Sequence, residues 1–182
     1  MERNSLFGLF KANASQNTVA MELYSGVVAQ ARQPYFYLDL AVPDTPDGRY
    51  DMIMIHAFLL LHRLKRDLPN TKEISQALFD IMFEDMDKNL REMGAGDVGI
   101  GRRIKEMAKG FYGRVAAYDE GLSCEDDRLE LALRRNVFRQ SSAEDKQVTA
   151  LSSYMRREAA NLSHQPIEAL LRGKLYFAKP SQ

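Results

Sequence analysis

Along nearly its whole length the chain repeats its apolar residues every three to four positions, the spacing of one face of an α-helix. The exception is Tyr35-Phe36-Tyr37-Leu38-Asp39-Leu40, which reads as extended but is isolated by Pro34, Pro43, Pro46 and Gly48. One short strand without a partner strand makes no sheet. Helices are therefore expected over about 16–32, 49–67, 72–93, 98–121, 126–138, 143–162 and 165–173. Thr71 is expected to cap the third, Gly94 to end it and Asp97 to cap the fourth. The expected fold class is all-α: an irregular bundle of about six to seven helices forming a single domain over residues 1–182.

Composition narrows the function classes. A chain of 182 residues buries enough surface to fold without staples. A single cysteine, Cys124, excludes an intramolecular disulfide framework and a Cys-rich zinc site, and fits a reducing compartment. Bases and acids cancel at 25 each, so the excess expected of a DNA binder is missing. The cancellation conceals a polarity. Residues 71–127 carry eight bases against thirteen acids, and residues 128–182 carry ten against five. Arg134, Arg135, Arg156 and Arg157 in this basic last third are candidates for meeting an anionic surface, either RNA or lipid headgroups, and the polarity reads equally as charge balance between two faces of one bundle. The opening Met1-Glu2-Arg3-Asn4 leads into no apolar stretch of the signal-peptide kind. The run Met52–Leu61 is half a bilayer crossing, is interrupted by His56, and is expected to be a buried core helix.

Two helices carry the strongest patterns. Phe79, Met82, Phe83, Met86, Leu90 and Met93 share one face of the third, with Asp80, Glu84, Asp87 and Arg91 opposite. Asp85 falls inside the wider apolar arc, where a carboxylate needs a partner; Arg114 is the first candidate and Arg103 the second. In the fourth helix Ile104, Ala108, Phe111, Val115, Tyr118 and Leu122 form a stripe. Beside it Gly110, Gly113 and Ala117 form a small-residue stripe, as though another helix comes close.

Catalytic constellations are thin. Gly94-Ala-Gly96-Asp-Val-Gly99 matches G-x-G-x-x-G but follows a helix, which removes the strand context of a dinucleotide cradle. His56 and His62 lie about 120° apart on one helix and cannot share a metal; His56 reads as a core histidine. No Ser or Cys nucleophile is legible. Asp80, Glu84 and Asp87, with Asp126, Asp127 and Glu130, resemble the paired acidic boxes of Mg-dependent all-α prenyl-transfer enzymes, and read equally well as solvated and capping acids. Met82, Met86, Met93 and Met107 concentrate in the central helix pair, where Met surfaces adapt to varied apolar partners or simply fill a core.

The stretch Ser75–Tyr118 has a more specific likeness. Phe79-Asp80, Met82-Phe83, Asp85-Met86-Asp87, Leu90-Arg91-Glu92-Met93-Gly94, Gly96-Asp97 and Phe111-Tyr112-Gly113-Arg114 resemble the signature of the ubiquinol–cytochrome c chaperone family. The similarity extends over 50–122 through Tyr50-Asp51, His56 and Arg63-Leu64. It implies a non-catalytic assembly factor for ubiquinol–cytochrome c reductase, respiratory complex III, that binds newly made cytochrome b, with no cofactor, metal or catalytic residue. Mitochondrial members act with a small partner protein near the ribosomal tunnel exit. Without a presequence or apolar anchor in the sequence, a bacterial member is expected, in the cytoplasm or peripheral at the inner face of the membrane. Exposed members of Phe83, Met86, Met93, Met107, Phe111, Tyr112 and Tyr118 are the expected client-binding lining. An Mg-dependent enzyme and an adaptor without a membrane client are the alternative classes.

Overall fold

A computed structural model describes residues 14–94 and 97–180. Eight helical segments follow one another: α1 (Ala14–Ala31), α2 (Pro34–Leu38), α3 (Pro46–Lys65), α4 (Lys72–Glu92), α5 (Asp97–Ser123), α6 (Arg128–Asn136), α7 (Asp145–His164) and α8 (Ile167–Leu170). No strand occurs among the described residues. The all-α class holds, with α2 and α8 only five and four residues long.

α3 is the axis. Every residue from Asp51 to Leu60 is buried, so this helix is enclosed on all sides, as an all-round apolar helix must be. α1, α4, α5 and α7 pack around it, and α6 joins α5 to α7. Thr45 caps the start of α3 by accepting a bond from the Gly48 amide at 3.1 Å, with Pro46 at the first helical position. Gly48 itself is required, because a Cβ there would lie 1.9 Å from the Pro43 carbonyl oxygen. All eight segments contribute to one hydrophobic core.

Several expectations change on folding. Residues 35–40 are not extended: Pro34 starts a turn of helix, and Phe36 is driven into the core against the His56 and Tyr154 rings. Thr71 does not cap α4; its buried hydroxyl donates to the Leu64 carbonyl at 2.7 Å and ties α3 to α4. The last helix shrinks to Ile167–Leu170. The glycine stripe receives no helix, since a Cβ at Gly110 or Gly113 would meet nothing within 4 Å. α5 instead turns its other face inward, through Ile100, Ile104, Phe111 and Tyr118. Gly94 does end α4 with a positive φ of 82°, while Ala95 and Gly96 of the G-x-G-x-x-G string lie outside the described residues.

Candidate functional site

The expected ion pair between Asp85 and Arg114 does not form. Arg114 reaches back to α3, where its Nη2 lies 3.1 Å from Asp51 Oδ1, while Arg139, just beyond α6, donates to Asp51 Oδ2 at 2.6 Å. Asp51 is 2% exposed. Burial pushes its carboxyl up to about 6, and the two guanidiniums work against that rise. Asp85 is only half-buried and accepts a bond from the Tyr24 hydroxyl of α1 at 2.7 Å. Burial, then this carboxylate, raise the Tyr24 phenol. Arg103 turns to Asp47 at 3.6 Å. Periodicity misplaces Asp85 because α1, at a sequence distance that no repeat can bridge, covers its side of α4.

The seven expected lining residues divide into three groups. Phe83, Phe111 and Tyr118 belong to the core: the Phe83 ring packs tilted on Phe79 at 4.6 Å between centroids, and Tyr118 meets Phe58 at 5.5 Å. Met86, Met93 and Met107 converge on a groove of about 240 Å³ between α3, α4 and α5, with Tyr50, Ile53 and Leu90 beside them. Met93 stands at its rim, 56% exposed. Arg32, Arg49 and Arg103 supply cations around the opening, and Asp47 and Asp85 the acids. The Tyr50 hydroxyl is buried and has no hydrogen-bond partner among the described residues. Tyr112 lies elsewhere. It is exposed beside Phe79, 5.6 Å between centroids, in a shallow groove shared with Leu68 and Val115.

The four basic candidates do not form one open patch. Arg134 pairs with Asp145. Arg156 donates to the Leu122 and Asp126 carbonyls, both at 3.4 Å. Arg157 donates to the Pro180 carbonyl at 3.2 Å and lies over the Tyr154 ring. Arg135 is exposed. Of the four, Arg134 and Arg157 thus bond within the last third, while Arg156 ties it to the end of α5 and the turn after it.

The acidic faces are also engaged. Asp80 accepts from Gln76 at 2.8 Å, Asp87 pairs with Arg91 at 2.6 Å, and Asp126 pairs with Arg128 at 3.0 Å. Among the described residues no group of three or more His, Cys, Asp or Glu side chains is placed to hold a metal ion. His56 is a fully buried core histidine: Nδ1 lies 2.7 Å from the Met52 carbonyl and Nε2 2.7 Å from the Tyr154 hydroxyl. Sequence reasoning placed Asp51 in the family pattern but missed its pairing with Arg114 and Arg139. The signal for it was an acid placed directly against a ten-residue apolar run, and an uncompensated Arg at the end of α6.

Residues 38–177 match the family described as ubiquinol-cytochrome C chaperone. The ubiquinol-cytochrome c reductase complex assembly factor 1 of Mus musculus is 27% identical over 152 residues, 84% of this chain and 52% of its own length. Protein CBP3, mitochondrial, of Saccharomyces cerevisiae is 33% identical over 110 residues, covering 57% of this chain and 32% of its own. The chain thus spans about half the length of the mammalian relatives it matches. The crystal structure of the Cbp3 homolog from Brucella abortus is similar with a TM-score of 0.83 and 37% identity, over 92% of this chain and 93% of that one. The signature in the central helix pair, the match over most of the chain and the shared arrangement of helices have one origin: the chain belongs to the ubiquinol–cytochrome c chaperone family.

Proposed function

We propose that this chain is a non-catalytic assembly chaperone of ubiquinol–cytochrome c reductase, and that it holds newly made cytochrome b. The single observation that carries this reading is the family match over residues 38–177. Relatives named as assembly factors of that complex support it. No helix among the described residues is long and apolar enough to cross a membrane. We place the chain's work in the bacterial cytoplasm or at the inner membrane face, with the client supplying the membrane-spanning part. The groove lined by Met86, Met93 and Met107 is the docking face in this proposal. Flexible thioethers suit apolar helices of differing shape. The Tyr112 face is the other candidate.

Deleting the gene tests the function. Cytochrome b and assembled ubiquinol–cytochrome c reductase should fall while other respiratory complexes persist. Unchanged levels of the complex in a strain lacking any second family member would remove the proposal. Recovery of a different assembly partner, with no cytochrome b in the pulldown, would support the adaptor alternative instead.

A further inference from the structure

Beyond α8 the chain runs back over α1 and α7, leaving through Gly173, whose φ of 76° only glycine adopts readily. Among the described residues, no backbone-to-backbone hydrogen bond involves residues 175–180. Side chains from three other places hold them. The Tyr176 amide donates to Gln165 Oε1 at 3.2 Å, and Gln165 Nε2 donates to the Tyr176 carbonyl. The Ala178 amide donates to Glu158 Oε2 at 3.0 Å, and the Ala178 carbonyl accepts from Gln30 Nε2 at 2.9 Å. Arg157 Nη2 donates to the Pro180 carbonyl. These clamps fall on every second residue. Between them Leu175 lies where a Cβ on Gly26 would be 3.3 Å from its Cδ2, and Phe177 meets the His56 ring edge-on at 5.2 Å. Backbone held at alternate residues, with side chains between them turned into apolar seats, is how a groove receives an extended peptide.

The seat is also under-satisfied. Glu158 is fully buried, yet its Oε1 has no hydrogen bond, and its neighbouring cation, Arg157 Nε, is 3.7 Å away and equally without one. Water would satisfy both groups if the segment lifted, which offsets part of the packing that lifting gives up. Leu175 and Phe177 are only half-buried and Tyr176 is exposed, so little apolar area resists release.

We propose that residues 174–180 are a releasable strap, an intramolecular peptide ligand that closes the seam between α1 and α7 and opens while the α3 core stays folded. α1 carries Gly26 and Gln30 beneath the strap, and Arg32, just past its end, lines the methionine groove. Release of the strap depends on no particular client.

Native-state hydrogen exchange on the full chain tests it. The Tyr176 and Ala178 amides should exchange roughly 100-fold faster than those of Ile55 to Leu59, through a local opening. Equal rates for the two sets overturn the strap. Full-length Phe177→Ser should then bind an added N-acetylated peptide of residues 173–180, measured by calorimetry, while the unmodified chain does not. A folded variant that ignores the peptide overturns the peptide-ligand mode. A variant that fails to fold overturns the strap as well, because a releasable segment leaves the core standing.

Discussion

Among single residues, the buried hydrogen bonds of His56 have only one consistent direction. A carbonyl only accepts, so Nδ1 carries the proton toward Met52, and Nε2 accepts from the Tyr154 hydroxyl. Tyr154 in turn accepts from Gln30 at 3.0 Å. Protonating Nε2 would face a donor with a donor, and burial already pushes the imidazole down to about 4. The unfolded chain, with its histidine near 6.5, therefore binds more protons between pH 4 and 6.5. This contribution is present above 6.5 and is lost as pH falls toward 4, about 3 kcal/mol in all. Asp51 runs the other way: its carboxyl is raised from 3.8 to about 6, so its contribution is lost as pH rises through that window. Chemical denaturation of the natural chain and of His56→Gln across pH 4–7 isolates the histidine. The stability difference should grow with pH; a flat difference would contradict the buried neutral histidine. Asp51→Ala should cost about 3 kcal/mol because Arg114 is left mostly buried without its carboxylate. Asp85→Ala should cost about 1–2 kcal/mol, the loss of one charge-assisted bond from Tyr24. In double-mutant cycles Asp51 should couple to Arg114 and Asp85 should not. The opposite pattern would restore the pairing expected from sequence.

Among the helices, Gly48 of α3 and the pair Gly110 and Gly113 of α5 have opposite roles. Gly48→Ala drives a Cβ into the Pro43 carbonyl and should lower the melting temperature markedly. Gly110 and Gly113 sit in helix interior facing open space, where alanine is favoured by up to about 1 kcal/mol each. Gly110→Ala should therefore raise the melting temperature, and a fall would mean that an unseen neighbour approaches there. Periodicity placed every long helix to within a few residues, because α3, α4, α5 and α7 must each bury a face or, for α3, their whole circumference. It failed at residues 35–40, where alternation and aromatic content suggest a strand. Pro34 and the cavity that Phe36 fills make one helical turn instead.

For the molecule as a whole, the family signature contains two kinds of residue. Phe83 and Phe111 hold α4 against α5 and Tyr118 holds α5 against α3, while Met86, itself nearly buried, lines a groove with Met93 and Met107. A photo-crosslinker at Met93 should label cytochrome b, one at Phe111 should not, and one at Tyr112 reports on the second groove. Labelling from Tyr112 alone would move docking to the groove beside Leu68 and Phe79.

The helical class, the central position of Met52–Leu61, the core role of His56 and the family are all legible from the order of residues alone. Each is written in local spacing or in a contiguous motif. Folding in three dimensions settles the rest: which aromatic residues of the signature are covered, where Asp85 and Arg114 find partners, and that the glycine stripe of α5 stays open. A periodic pattern defines a helix's apolar arc. Which neighbour covers which part of that arc depends on pairs of residues 61 to 88 positions apart, such as Tyr24 with Asp85 and Arg139 with Asp51. No local rule carries that information.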